Sequence, residues 1–421
     1  MRIHVEGEQP LNGVYRPAGN SNAALALLAA ALLTDQPVTL HNLPRTSSTE
    51  AMLSVAAWMG AQLDWTNDHT LHINTAQIGQ RCLSTDQTEQ SLGVLLFSAP
   101  MLVRRKHVRL EFDFPLNRIR THLEALRDLD QDVITTSGAV EVTATEWEFK
   151  EIILAQASVT ATAIVLMLSA TLGKETIIHN AACEPHIQEL SALLEQMGVH
   201  IEGSGSNMLR ILSPPALEGA EMTIGPDHIE AASIAAIGAL SGGRIQIEGT
   251  RLADMRMIAR IYERLGIQLD LDDDSIFVPK HQQLSVSNRE EDVDSSIETA
   301  IWPGFPSDLV AIATVIATQA RGTSLIHEKL FNNRLLFVDR LKAMGAQIVL
   351  CDPHRAIVVG PTPLYAIYMD SPDVRAGLGM LGAAMIARGT SVIDNAQAIE
   401  YTFSGVLDKL KQLGARIEID D

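Results

Sequence analysis

A short pattern recurs along the whole chain: a leucine or methionine, then a glycine, then residues that alternate between apolar and polar. Five copies read MGAQLDW, MGVHIEG, LGIQLDL, MGAQIVL and LGARIEI, with the glycines Gly60, Gly198, Gly266, Gly345 and Gly414. Glycine tolerates the left-handed conformation that ends a helix, and alternation with a period of two is typical of a half-buried strand. Each copy therefore predicts the end of a helix followed by a strand.

A sixth, degenerate copy, LDQDVIT, has Asp130 in the glycine position, so that successive copies begin 70, 68, 68, 79 and 69 residues apart. A second strand-like segment also occurs once per repeat: PVTLHNL, HVRLEFD, ETIIHNA, RIQIEGT, TSLIHEK and TSVIDNA. One repeat cannot bury its apolar faces alone, so the repeats must pack on one another. Unrelated amphipathic helices that end in Leu-Gly would not keep this spacing.

The turn IGPD at residues 224–227 is the best candidate for a domain boundary, because it leaves three repeats on each side. A chain of 421 residues is also long for a single hydrophobic core. The opening strand MRIHVEG has no helix before it and is assigned to the C-terminal half. We therefore predict one domain of residues 21–225 and a second domain of residues 1–20 plus 226–421.

The composition excludes several classes of function. The chain has 32 Lys and Arg against 51 Asp and Glu, a formal charge of -19, so its average surface repels nucleic acid and anionic lipid. The three cysteines, Cys82, Cys183 and Cys351, form no CxxC pair, which argues against a structural zinc site or a disulfide framework. We expect a cytoplasmic protein with no cofactor and no nucleic-acid partner, since the N-terminus also lacks the apolar core of a signal peptide.

The uncharged stretch at residues 152–173 is long enough on paper to span a bilayer. It contains Gln156, Ser158, Thr160, Thr162, Ser169 and Thr171. These polar groups favour a buried helix with a ligand-facing or capped start over a membrane span, so we expect no membrane partner.

Six such repeats resemble the enolpyruvyl transferases, and the similarity includes PAGNSNAALALLAAALL at Pro17, SVTATAIVLMLSATL at Ser158, GPDHIEAASIAAIGAL at Gly225, FPSDL at Phe305, FNNRLLF at Phe331 and DVRAGLGML at Asp373. The resemblance covers essentially the whole chain. It implies an α/β fold of two inside-out α/β barrels, each with three repeats around buried helices, and an active site in the cleft between them.

The resemblance also implies a reaction. Enzymes of this family transfer the enolpyruvyl group of phosphoenolpyruvate to an acceptor hydroxyl through a tetrahedral intermediate, and phosphate leaves. The implied acceptor is a nucleotide sugar of the UDP-N-acetylglucosamine type, and the implied pathway is peptidoglycan synthesis. The shikimate-pathway branch of the superfamily fits less well, since it binds a phosphorylated acceptor and needs more cations.

The family motifs imply roles for individual residues. Asp308 would take the proton of the acceptor hydroxyl, and Arg334 would hold the phosphate or carboxylate of the donor, because a guanidinium can pair with two oxygens at once. Taken alone, the PSD motif around Asp308 would instead predict a helix cap. The implied substrate-binding residues are Asn22, Ser158, Val159, Thr160, Glu184, Asp227, Asp373 and Arg375.

The donor side departs from the family pattern. Ser21 replaces a family lysine, and Leu92, Asn117 and Tyr401 stand where family members have cations. The loop that carries the catalytic cysteine or aspartate is shortened to LEFDFPLN and contains no cysteine. Phosphoenolpyruvate carries about three negative charges, which are costly to desolvate without compensating cations, so these losses make phosphoenolpyruvate a doubtful donor.

Two hypotheses follow. Arg118 and Arg120, in a basic run that begins at Arg104, would serve as replacement cations in an enolpyruvyl transferase with altered donor chemistry. If that run is only a solvated basic surface, the chain would be a non-catalytic, nucleotide-sugar-binding or regulatory paralogue. The acceptor motifs, together with Asp308 and Arg334, favour the enzyme.

Overall fold

The structure is a computed structural model that describes residues 1–287, 296–370 and 376–420. The chain divides into two compact units. Unit A comprises Met1–Ala18 and Pro226–Asp421, and unit B comprises Gly19–Gly225. Each unit is therefore described separately.

Helices and strands alternate throughout. The strands are β1 Arg2–Glu6, β2 Asn12–Tyr15, β3 Val38–His41, β4 Gln62–Asn67, β5 Thr70–Asn74, β6 Cys82–Leu83, β7 His107–Glu111, β8 Asp132–Thr136, β9 Ala139–Thr143, β10 Trp147–Ile153, β11 Gly173–His179, β12 His200–Glu202, β13 Met208–Leu212, β14 Ala220–Thr223, β15 Arg244–Glu248, β16 Asp270–Leu271, β17 Ser275–Val278, β18 Leu284–Ser285, β19 Ser296–Glu298, β20 Ala320–His327, β21 Gln347–Asp352, β22 Arg355–Gly360, β23 Tyr368–Met369, β24 Thr390–Asp394 and β25 Arg416–Asp420. The helices are α1 Ser21–Ala31, α2 Ser47–Met59, α3 Thr85–Gln90, α4 Ser98–Arg105, α5 Arg120–Asp128, α6 Val159–Ser169, α7 Pro185–Gln196, α8 His228–Ser241, α9 Leu252–Arg264, α10 Val310–Gln319, α11 Val338–Ala343, α12 Gly377–Ile386, α13 Gln397–Glu400 and α14 Val406–Gln412. Short 3-10 turns occupy Leu92–Phe97, Leu116–Ile119 and Ser307–Leu309.

The predicted pattern of helix, glycine and strand is confirmed. The five repeat glycines follow α2, α7, α9, α11 and α14, and their φ angles lie between 89° and 113°. Asp130, in the degenerate copy, also has a positive φ of 55° and lies between α5 and β8. Aspartate tolerates this left-handed conformation better than most residues, which explains how the sixth copy keeps the turn without glycine.

Unit B contains three sheets, with strand orders β14-β3-β5-β4, β6-β7-β9-β8 and β10-β11-β13-β12. In each sheet the outer strand named first runs parallel to its neighbour and the remaining pairs are antiparallel. Helices α1 and α6 are uncharged and almost entirely buried, and they pack near the 3-10 turn at Leu92–Phe97. Their apolar side chains form the core against which the inner faces of the sheets close.

Unit A repeats this arrangement. Its sheets have the orders β23-β24-β1-β25, β16-β17-β15-β2 and β18-β20-β22-β21, with β19 also paired to β20. Helices α8, α10 and α12 are nearly all buried and pack against one another. The opening strand β1 pairs antiparallel with both β24 and β25. In both units helices lie inside and sheets outside, as predicted for the inside-out α/β fold.

The uncharged stretch at residues 152–173 does not form one long helix. It contains the end of β10, helix α6 and the first residue of β11, and α6 has 11 residues. Across the described part of the chain, no helix combines the length and the apolar character needed to cross a bilayer.

Candidate active site

Asp308 and Arg334 lie together in unit A, although 26 residues separate them in sequence. Arg334 Nη1 donates a hydrogen bond of 2.8 Å to Asp308 Oδ1. Asp308 belongs to the 3-10 turn that precedes α10, and among the described residues its side chain makes no helix-capping hydrogen bond. The carboxylate thus pairs with an arginine, contrary to the helix-cap alternative for the PSD motif.

The two partners differ in their access to solvent. The Asp308 side chain is 43% exposed, whereas that of Arg334 is only 7% exposed. The guanidinium of Arg334 lies 4.6 Å from the centre of the Phe331 ring, and its buried Nε has no hydrogen-bond partner among the described residues. A buried donor without a partner is costly, so this face of Arg334 is suited to an anionic oxygen.

A second polar cluster surrounds the start of α8, also in unit A. The Asp227 carboxylate caps the helix by accepting hydrogen bonds from the backbone N–H groups of Ile229 and Glu230, at 2.9 and 3.0 Å. The buried Glu230 accepts from Tyr15 Oη at 2.5 Å and from Lys409 Nζ at 3.0 Å. Burial, and secondarily the charge of Glu230, raises the pKa of Asp227 to about 7. Burial also raises the pKa of Tyr15, again with a contribution from Glu230.

The raised pKa of Asp227 predicts a pH-dependent stability. Because the folded-state pKa of about 7 lies above the ordinary 3.8, the folded protein holds this proton where the unfolded chain has released it. The contribution of Asp227 to the free energy of unfolding therefore falls as the pH rises from about 4 to about 7. Between about pH 5 and pH 8, we expect this effect to lower the free energy of unfolding of the wild type by an amount on the order of 2 kcal/mol. Asp227→Asn keeps the helix cap but cannot ionise, so it should not show this decrease.

Urea unfolding at these two pH values measures this difference. Asp408→Asn is the matched control, since Asp408 lies in the first turn of α14 but is 75% exposed. Equal pH dependence of wild type and Asp227→Asn would show that Asp227 is ionised in the folded protein throughout this range.

The predicted acceptor-binding residues in unit B lie at helix starts. The Ser158 hydroxyl caps α6 by accepting a hydrogen bond from the N–H of Ala161 at 3.4 Å, and Val159 and Thr160 form its first turn. Thr160 Oγ1 is 2.7 Å from His122 Nε2 on α5. Burial lowers the pKa of His122 to about 4, so its imidazole is neutral near pH 7.

Two further predicted residues lie at the starts of other helices of unit B. Asn22 is exposed in the first turn of α1, and Glu184 occupies the N-cap position of α7. These positions carry backbone N–H groups that favour anions.

Ser21, which the resemblance places at the position of a family lysine, belongs to a cluster of hydroxyl groups. Ser21 is 2% exposed, and its Oγ lies 3.2 Å from Thr46 Oγ1 and 3.1 Å from Ser48 Oγ. Thr46 Oγ1 in turn lies 3.0 Å from Ser48 Oγ and 3.1 Å from Thr49 Oγ1. The first turn of α1 is thus joined to the start of α2 by neutral hydrogen bonds.

Most of the basic run from Arg104 to Arg120 has local partners. Arg104 donates to the backbone carbonyls of residues 32, 34, 75 and 76. Arg109 pairs with Glu111 and Glu141, and Lys106 pairs with Glu146. These three basic side chains therefore form hydrogen bonds and ion pairs within unit B. Their presence in the sequence is explained by these contacts and does not require a bound ligand.

The two preferred replacement cations, Arg118 and Arg120, are both exposed. Arg120 pairs with Glu124 at 2.7 Å one helical turn away. The Arg118 guanidinium lies 5.7 Å from the centre of the Phe114 ring, and Phe114 stacks on Phe112 in the shortened loop. Among the described residues, Arg118 has no carboxylate within ion-pair distance, so it is the better candidate of the two.

The predicted residues Asp373 and Arg375 lie outside the described residues. Sequence reasoning missed two features of unit A: Trp302, whose ring packs edge-on against His228 at 5.4 Å, and Glu328, a fully buried carboxylate. For Trp302, the only indication in the sequence was that its partner His228 directly follows the predicted site residue Asp227. Glu328 follows an alternating strand, where a charged residue ordinarily faces solvent.

Comparisons with known proteins agree with this architecture. The family described as EPSP synthase (3-phosphoshikimate 1-carboxyvinyltransferase) matches residues 5–418. The chain belongs to this enolpyruvyl transferase family. It is 40% identical to a UDP-N-acetylglucosamine 1-carboxyvinyltransferase of Bradyrhizobium diazoefficiens, over 98% of this chain and 97% of the relative. It is 38% identical to the protein of the same name in Treponema denticola, over 99% of both chains.

Solved structures show the same fold. The enolpyruvyl transferase NikO from Streptomyces tendae has a TM-score of 0.88 at 20% identity, over 99% of this chain and 98% of that one. EPSP synthase from Acinetobacter baumannii has a TM-score of 0.77 at 14% identity, over the full length of both. The predicted family and inside-out α/β fold are thereby confirmed. An enzyme of the enolpyruvyl transferase type is supported, and none of these comparisons favours the non-catalytic alternative.

Proposed function

We propose that the protein transfers an enolpyruvyl group from phosphoenolpyruvate to a hydroxyl of UDP-N-acetylglucosamine or a closely related nucleotide sugar. The observation that carries this proposal is the Asp308–Arg334 pair, because it places a half-exposed carboxylate 2.8 Å from a buried guanidinium whose Nε has no hydrogen-bond partner in the described ranges of the chain. The names of the relatives at 38% and 40% identity supply the acceptor. The three cysteines are unpaired, which fits the cytoplasmic location that we also propose.

The chemistry assigned to this pair is acid–base catalysis with charge stabilisation. Asp308 removes the proton of the acceptor hydroxyl, the hydroxyl oxygen bonds to C2 of the donor, the C2–C3 double bond becomes single, and C3 takes a proton from solvent. In the resulting tetrahedral intermediate, C3 then returns a proton to solvent and the C2–O bond to phosphate breaks, so that phosphate leaves and the C2–C3 double bond is restored. Arg334 binds the phosphate or carboxylate oxygens throughout.

The acceptor-binding roles that we propose fall mainly on helix starts. Ser158, Val159 and Thr160 would hold the nucleotide through backbone N–H and hydroxyl groups at the beginning of α6. Asn22 would contact the sugar, and Glu184, Asp227, Asp373 and Arg375 would complete the set.

Additional positive charge for the donor is assigned to Arg118, with Arg120 as a second candidate. Both are exposed, and the interaction of Arg118 with the Phe114 ring leaves its N–H edge available for oxygen atoms. A rebuilt donor site of this kind would compensate for Ser21, Leu92, Asn117 and Tyr401, which occupy the positions of the family cations.

The test is release of inorganic phosphate from phosphoenolpyruvate and UDP-N-acetylglucosamine, with protein near stoichiometric with both substrates. We expect turnover in the wild type and a loss of roughly 100-fold in Asp308→Asn, which keeps the size of the side chain but cannot accept the proton. Asp339→Asn is the matched control, since Asp339 is 68% exposed in α11. It should retain full activity.

Absence of phosphate release, with UDP-N-acetylglucosamine binding still detected by calorimetry in the same sample, would refute phosphoenolpyruvate as the donor. Equal turnover of Asp308→Asn and wild type would refute the assigned base.

A further inference from the structure

Glu328 follows β20 in unit A, and its side chain is fully buried. A buried carboxylate is costly unless hydrogen-bond donors replace the lost water. Four donors surround this one. Its Oε1 accepts from Thr299 Oγ1 at 3.1 Å and from the backbone N–H groups of Leu330 and Phe331 at 2.8 and 3.1 Å, and its Oε2 accepts from Ser307 Oγ at 2.6 Å.

These hydrogen bonds reach both segments that carry the proposed reacting pair. Ser307 directly precedes Asp308 in the 3-10 turn before α10. Phe331 lies three residues before Arg334, and its ring lies 4.6 Å from the guanidinium. One buried carboxylate thus connects the turn that supports Asp308 to the loop that supports Arg334.

A further bond anchors the same segment. Thr299, besides donating to Glu328, accepts a hydrogen bond from the backbone N–H of Lys329 at 2.9 Å. The end of β19 is thereby joined to the residue that follows Glu328. Three segments of the chain therefore meet at the buried Glu328 carboxylate. Because water does not reach this group, it cannot replace hydrogen bonds lost on substitution, and we expect the neighbouring segments to shift.

We propose that Glu328 is a positioning residue that holds the Asp308–Arg334 pair in the geometry that binds an anion. The role rests on the proposed function of that pair, and Glu328 acts through Ser307 and the backbone of residues 330 and 331. Positioning matters because a shift of about 1 Å in a reacting group can cost about 100-fold in rate.

Binding of inorganic phosphate to the full-length protein, followed by calorimetry, tests this role without any turnover. Glu328→Ala removes every acceptor and should weaken phosphate binding by about 10- to 100-fold. Glu328→Gln keeps a carbonyl acceptor, and its amide can donate to the Ser307 hydroxyl, so it should stay within about threefold of wild type. Glu298→Ala is the control, since Glu298 is 41% exposed and pairs with Lys329 at the same end of the sheet.

A double-mutant cycle with Arg334→Ala separates positioning from a general effect on folding. If Glu328 acts through Arg334, Glu328→Ala should cause no further loss of phosphate binding in the Arg334→Ala background. Ser307→Ala, which removes one hydrogen bond, is a milder variant in case Glu328→Ala does not fold, and it should weaken binding by about threefold.

Three results would overturn the role: unchanged phosphate binding in both Glu328→Ala and Ser307→Ala, an equal loss with and without Arg334, or phosphate binding that does not depend on Arg334. Phosphate binding through Arg334 without release of phosphate from phosphoenolpyruvate would contradict the proposed function, and the Glu328 comparison would still decide the positioning role.

Discussion

Replacing Arg334 with alanine is expected to lower kcat/KM for phosphoenolpyruvate by about 1000-fold. By the resemblance to the enolpyruvyl transferases, Arg334 is the cation expected to hold the donor, and its buried Nε has no hydrogen-bond partner within the described part of the chain. Loss of the side chain also leaves Asp308 without the ion pair at 2.8 Å. Steady-state kinetics with varied phosphoenolpyruvate at saturating acceptor measures the effect.

Arg334→Lys is the informative comparison, because it retains the charge but cannot pair with two oxygens. We expect it to recover only part of the loss, with most of the remaining deficit in KM for phosphoenolpyruvate. Arg340→Ala, in the exposed part of α11, serves as the control and should behave as wild type. Wild-type kinetics in Arg334→Ala would remove this residue from the donor site.

Restoring the family lysine by Ser21→Lys is expected to destabilise the protein by about 3 kcal/mol. Ser21 is buried beside Thr46 and Ser48, whose hydroxyls are neutral and already bonded to one another. An ammonium group introduced there would lose its hydration, and the side chains that the structure records within hydrogen-bond distance of Ser21 Oγ are neutral hydroxyls. Urea unfolding, followed by fluorescence, measures the change in the free energy of unfolding.

Ser21→Ala removes the hydroxyl without adding a charge, so it distinguishes these two effects. We expect it to lower the free energy of unfolding by only about 1 kcal/mol. A lysine variant as stable as the alanine variant would show that the ammonium group finds solvent or an acidic partner. Because the hydroxyl cluster joins α1 to α2, the substitution of one residue is not expected to rebuild the family donor site.

Local patterns made the fold predictable. Each repeat glycine adopts a left-handed φ between a helix and an alternating strand, and Asp130 does the same. These are properties of a few neighbouring residues, so periodicity and glycine placement reveal them. The resemblance to the enolpyruvyl transferases then supplied the packing of the repeats, which periodicity alone does not define.

The site was less predictable because its contacts join distant segments. The family motifs pointed to Asp308 and Arg334, but their direct pairing depends on how α10 and the loop after β20 pack. Glu328 looks like a solvent-facing residue at a strand end, yet Thr299 and Ser307, 29 and 21 residues earlier, enclose it. The basic run from Arg104 also looked like one surface, whereas Arg104 binds carbonyl groups and Arg109 binds two glutamates.

Unit B is inserted into unit A along the sequence, and the two ends of this insertion lie close together. The N–H of Asn20 donates to the carbonyl of Gly225 at 2.8 Å, which brings the ends of unit B together. On the other side of the junction, the N–H of Asp227 donates to the carbonyl of Ala18, also at 2.8 Å. A direct splice between residues 18 and 226 would therefore need little or no linker, and the excised segment would carry closely spaced termini. This arrangement favours circular permutation and the exchange of a whole unit between homologues. In each unit a backbone hydrogen bond already holds the two chain ends together at the boundary.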